Sequence, residues 1–180
     1  SAISCKGMVP WVRESTALFK ILLEYAHFFP LKNLVGAIRV RCGHIFNQDF
    51  RDTMPTERFY LGGEHSIRSI EKDMAPPLGR FIDEKGCSIL VPQGGRSMVN
   101  ANIELRAPLF RDVGLVVFQD FGILAQKSFA EVRGGKLLFG TGFGLRYHTP
   151  VGPLRFDIAW RWHRQDIAEP RYAWFLTYGH

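Results

Sequence analysis

The strongest constraint on the fold is a beat of two. In SMVNANIELRA, Val99, Ala101, Ile103 and Leu105 are apolar, and Asn100, Asn102, Glu104 and Arg106 between them are polar. Side chains alternate across a strand, so such a segment carries one greasy face and one polar face, a pattern that a helix of period 3.6 cannot use. The same beat runs along 19–29, where the odd positions are Phe, Ile, Leu, Tyr, His and Phe. It runs along 34–42, where Leu34, Gly36, Ile38, Val40 and Cys42 oppose Arg39 and Arg41. In LRFDIAW, Leu154, Phe156, Ile158 and Trp160 oppose Arg155, Asp157 and Ala159. Seven strands are expected, at about 17–29, 33–46, 95–107, 112–122, 136–148, 153–163 and 171–180, with part of an eighth within 1–15.

The content of the two faces narrows the class. A soluble sandwich turns Lys, Thr and Ser toward water, whereas the polar faces here carry Arg, Glu, Asp, Asn and glycine. The apolar faces draw on 15 Phe, 5 Tyr and 4 Trp. That division suits an all-β, antiparallel transmembrane barrel, apolar toward lipid and polar inside. Each segment has about the length a tilted strand needs to cross a bilayer. Connections agree: PLKN, PLFRD and TPVGP are tight turns, and they alternate with long links at about 47–93, GILAQKSFAEVRGG and HRQDIAEP. Short turns on one side and long loops on the other are the habit of outer-membrane barrels. Trp160, Trp162, Tyr172 and Trp174 read as an interfacial aromatic girdle.

Several other classes are set aside. The formal charge of +6 is dispersed without a basic run, so no nucleic-acid partner is expected. The six His form no HExxH pair and the three Cys no CxxC, so no metal site is expected. There is no Gly-x-Ser-x-Gly elbow, and no enzyme, catalytic residue or cofactor is expected. GTGFG lacks a following helix, and Gly140, Gly142 and Gly144 share one strand face, which reads as a smooth inner wall rather than a phosphate loop. The most apolar run, ALFKILLEYAHFF, is interrupted by Lys20 and Glu24 and does not support a membrane helix. The start, SAISCKGMVP, has neither an initiator Met nor a signal-peptide core, which leaves a cytosolic protein or a chain that begins inside a longer one.

Four ordered motifs then resemble one family, the bacterial outer-membrane assembly and surface-antigen proteins (BamA/TamA-like, related to two-partner-secretion transporters such as FhaC). RFYLGGEHSIRSI (58–70) resembles the family's long-loop motif, with Gly62, Gly63, Ile67 and Arg68 in place. Ser69 and Ile70 depart from it, standing where Gly and an aromatic are usual. ANIELRAPLF (101–110) and GLVVFQDFG (114–122, with Phe118, Asp120 and Gly122) resemble two of its strands. GTGFGLRYHTPVGPLRFDIAW (140–160) is similar to its Gly-x-Gly-x-Arg-Tyr run, with Gly140, Gly142, Gly144, Arg146, Arg155 and Asp157. Trp174, Leu176, Tyr178 and Gly179 fit the family's terminal strand, the seam strand, without its closing aromatic, so the native end is expected slightly beyond His180. The GGEHSIR form is nearest to TamA-like members.

The resemblance implies one outer-membrane barrel domain over 1–180, about the C-terminal half of a larger barrel, with the loop at about 47–93 inserted into the lumen. It implies that Arg68 anchors this loop on Asp120 and Glu104. It implies an integral outer-membrane factor that inserts or exports other outer-membrane or autotransporter proteins. Its partners would be outer-membrane lipid, those clients, and the rest of the barrel or a second chain to pair the open edges. The alternatives are a two-partner-secretion pore, a small closed barrel of eight strands, and an inactive fragment.

Overall fold

The computed structural model describes residues 19–46, 53–82, 87–126, 137–150, 152–162 and 170–178, together with the backbone of 2–8. Eight strands form one antiparallel sheet in the order β1 (Ala2–Met8), β2 (Phe19–Leu31), β3 (Leu34–Phe46), β6 (Ser97–Phe110), β7 (Val113–Ala125), β8 (Leu138–Thr149), β9 (Gly152–Arg161) and β10 (Tyr172–Tyr178). A separate hairpin, β4 (Leu78–Ile82) with β5 (Ser88–Pro92), lies between β3 and β6 in sequence. Among the described residues no helix is long and apolar enough to cross a membrane. The architecture is that of an outer-membrane barrel wall.

The sheet is open. Its edges are β1 and β10, so the closed barrel of eight strands is not the arrangement. Within the long link at about 47–93, the hairpin adds two strands beyond those expected. LGRFI and SILVP are too short for alternation to stand out, but they pair in register from Leu78–Pro92 to Ile82–Ser88. Several strands run past their expected ends: β2 continues through Pro30 to Leu31, and β6 through Pro108 to Phe110. A proline lacks the N–H needed in the middle of a ladder, but is tolerated at a strand end or bulge. Pro30 sits one pair from the turn, and the register of β6 shifts between Pro108 and Phe110.

Register fixes which side chains share a face. The pairs Arg39–Asn102, Asn102–Asp120, Asp120–Gly140, Gly140–Arg161 and Gly144–Asp157 carry one polar face across five neighbouring strands. The opposite face is apolar and aromatic. Leu23, Ile103, Val117, Phe143, Trp160 and Trp174 on it are all exposed, as a lipid-facing surface requires. The buried apolar cluster lies on the polar side, where Phe59, Leu61, Ile67, Ile70 and Ala75 of the β3–β6 connection meet Ile45, Met98 and Leu138 of the wall. Burying a residue such as Ile70 or Leu61 contributes about 1.5–3 kcal/mol each. The connection is therefore packed onto the inner face.

Candidate functional site: a loop clamped against the inner wall

The connection docks as a self-bonded tongue. Phe59 and Gly95 exchange two backbone hydrogen bonds, Phe59 N–H donating at 2.9 Å and Gly95 N–H at 2.8 Å. Ala75 N–H donates to Leu61 O at 2.9 Å, and Gly63 N–H to Ile70 O at 2.9 Å. Between these rungs the chain must reverse sharply. Gly62 and Gly63 do this with φ of 115° and 94°, a region that side chains disfavour. A Cβ on Gly62 would also strike the carbonyl of Glu71. Ser66 steadies the turn, its hydroxyl accepting from Gly62 N–H at 2.7 Å.

At the tip, Arg68 is 2% exposed and Asp120 is fully buried. The Arg68 backbone N–H and Nε both donate to Asp120 Oδ2 at 2.9 Å, and Nη2 donates to Oδ1 at 2.8 Å. Nη1 reaches Glu104 Oε1 at 2.7 Å. Such a fork fixes geometry as well as charge. The guanidinium also lies over the Phe118 ring, 3.5 Å from its centroid, a cation–π contact. Burial opposes the Arg68 charge, but the hydrogen bonds and charge of Asp120, then Glu104 and Asp157, outweigh it and raise its pKa above the ordinary value. Glu104 is shared: its Oε2 accepts from Arg106 at 2.9 Å.

The wall grips the rest of the tip by its backbone. Arg39 and Arg41 donate to the His65 carbonyl at 2.5 and 2.6 Å. Asn102 donates to the Ser66 carbonyl at 2.5 Å and to Asp120 Oδ1 at 2.7 Å. Asn100 and Asn102 in turn accept from Arg41 and Arg39. Parity in the sequence places these four residues on the polar side, but not on the loop. Their acceptors are carbonyls, which every residue has, so no side-chain pattern announces them.

The inner wall is pitted rather than smooth. A Cβ at Gly122 would collide with Ile67, one at Gly140 with Ser69, one at Gly142 with the Phe118 ring, and one at Gly144 with the Asp157 carboxylate. Each missing side chain is thus a socket for a neighbour. Ser69 and Ile70, the departures from the usual motif, take defined places. Ser69 is buried against Gly140, its hydroxyl without a partner among the described residues. Ile70 joins the apolar cluster.

Arg146, Arg155 and Asp157 form a second group, outside the clamp. Arg146 Nη1 and Nη2 bind Asp157 Oδ1 and Oδ2 at 2.6 and 3.1 Å, and Arg155 Nη2 lies 3.4 Å from Oδ2. Trp174, Leu176 and Tyr178 point to the outer face of β10, each more than half exposed and far from the loop. Gly179 lies outside the described residues.

A model of the Omp85 superfamily domain matches residues 2–179. The outer membrane protein assembly factor BamA of Nitratidesulfovibrio vulgaris is 33% identical over 121 residues, 66% of this chain and 14% of that protein. The crystal structure of BamA from Haemophilus ducreyi lacking POTRA domains 1–3 superposes with a TM-score of 0.72 at 19% identity, over 90% of this chain and 35% of that one. The chain therefore spans about a third or less of each.

Proposed function

Because the chain belongs to the Omp85 superfamily, integral to the bacterial outer membrane, we propose that it serves a non-enzymatic factor that inserts or exports other outer-membrane proteins. The observation that carries this reading is the Arg68 clamp. A wall that needed only to stand in a membrane has no use for a 15-residue tongue, Leu61–Ala75, fixed to it by a buried guanidinium. In this reading residues 1–180 are one barrel domain, the loop is its internal strut, and Arg68 with Asp120 and Glu104 is the anchor. Among the described residues the edges β1 and β10 carry unpaired N–H and C=O groups that hydrocarbon does not tolerate. They are covered by further strands or a second chain, and the Trp174–Tyr178 segment is one side of the seam where a client strand pairs.

The relatives reported above are BamA proteins, which supports an assembly role in general. The Gly62-Gly63…Arg68 form is the ground for a TamA-like placement, so autotransporters are the first clients to test. In cells whose only copy carries Arg68→Ala, client assembly should fall by roughly tenfold or more while the barrel still folds and shifts on heated gels, as expected for loss of a buried pair. Undiminished assembly in such cells, with the variant present at normal levels, would sink the anchor role.

A further inference from the structure

We infer that the short-turn end of the inner wall holds a binding cleft for an acidic, apolar peptide segment. The cleft has a volume of about 550 Å³ and lies beyond the clamp, away from the docked tongue. Arg106, Arg111, Arg146 and Arg155 line it, against a single lining carboxylate, Glu104. That carboxylate is already occupied by Arg68 and Arg106. Asp157, behind the lining, takes both Arg146 and Arg155. Asp112 follows Arg111 in its turn but does not line the cleft. Four guanidiniums thus meet two carboxylates, and the positive surplus falls on a concave surface.

Arg111 shows the surplus most plainly. It is exposed at the β6–β7 turn, with φ of 34°, and has no carboxylate partner among the described residues. Its guanidinium is 5.9 Å from the Phe110 ring centroid. Among the described residues Arg155 has only the long 3.4 Å contact to a carboxylate, and it remains a quarter exposed. Several cations gathered on one concave surface attract a carboxylate more strongly than a single isolated cation does.

The apolar part of the lining decides between ligands. Val35, Pro108 and Pro153 share the lining with the arginines, Pro108 two residues from Arg106 on β6 and Pro153 two from Arg155 on β9. A free phosphate would leave them unused. A lipid headgroup would have to bring its acyl chains to the face opposite the aromatic, lipid-facing one. An extended peptide that alternates acidic and apolar side chains satisfies both features, and it reaches the cleft from the short-turn side. This inference does not depend on the assembly role, and binding is read without any client.

The test uses the natural full-length protein in a neutral detergent, with a dye-labelled peptide of alternating glutamate and leucine. Binding should weaken with added salt and drop on the order of tenfold in the double variant Arg106→Gln/Arg111→Gln. Lys32→Gln, a charge lost at another short turn outside the cleft, should leave it unchanged. Heat-modifiability of the double variant checks that it has folded, and Arg111→Gln alone, at an exposed turn, supplies the reading if it has not. Equal binding of a lysine–leucine peptide would overturn the proposal, as would wild-type affinity in the folded variants. Competition by inorganic phosphate or phosphatidylglycerol micelles as effective as by unlabelled peptide would overturn the peptide as ligand.

Discussion

Asp120 and Asp157 are both sealed from solvent and both gripped by arginine, yet their arginines come from different kinds of place. Asp157 is held by Arg146 on the adjacent strand and Arg155 on its own, a bond within the wall. Asp120 is held by Arg68, 52 residues earlier and on the tongue. Equal burial therefore does unequal work: one carboxylate stitches β8 to β9, and the other ties a loop to a surface. The cost of breaking either should appear in a different part of the molecule.

The largest effect is expected from Arg68→Ala. It takes the facing guanidinium from Asp120 and leaves Glu104 with Arg106 alone, a loss of about 3–5 kcal/mol in loop docking. Limited proteolysis should then cut within residues 53–82, where the wild-type tongue resists. If Arg146→Ala opened the tongue equally, the two carboxylates would not differ as described. That second variant should cost less, about 1.5–3 kcal/mol, because Arg155 stays near Asp157. Its mark should be faster hydrogen exchange along β8 and β9 with the loop still protected.

Ser69→Ala should go the other way. It removes a buried hydroxyl without a partner among the described residues, so docking should gain about 1 kcal/mol, read as slower proteolysis of the tongue. The smallest effect concerns acid. His65 is held below its ordinary pKa by partial burial, with Arg155, Arg39 and Arg41 adding to this and Glu64 opposing it. A lowered histidine pKa means the undocked loop binds the proton better. Docking is then strongest above the ordinary histidine value and declines as pH falls through it toward the lowered one. His65→Gln should flatten that slope, and because the ring is largely exposed the change should be slight.

The sequence carried the wall better than the loop. Alternation in SMVNANIELRA sorts Asn100, Asn102 and Glu104 from Val99, Ala101 and Ile103 because a strand obeys one period. The aromatic partition of the faces follows from the same rule. The tongue has no period: Phe59, Leu61, Ile67 and Ile70 enter one cluster at irregular spacing. The resemblance of Gly62-Gly63…Arg68 to a known motif singles out the segment whose guanidinium meets Asp120, but the places of Ser69 and Ile70 depend on which wall residues lack side chains. In the sequence Lys20 falls on the polar side of 19–29 and breaks an apolar run, and nothing there ties it to the loop. In the structure its Nζ donates to Glu57 O at 2.7 Å and lies 4.6 Å from the Phe59 ring centroid, so it helps seat the base of the tongue.

The sockets at Gly122, Gly140, Gly142 and Gly144 have a consequence for how the wall comes together. A slip of β8 by one residue would turn its glycines outward and bring Phe143 and Leu145 inward, filling the sockets. A slip by two would keep the faces but move the three β8 sockets by about 7 Å, taking Gly140 away from Ser69. In either case the tongue could not seat and Arg68 would miss Asp120. The docked loop is thus a gauge of strand alignment: it closes only on a sheet whose neighbours have met in the right register, and leaves a misaligned one visibly unlatched.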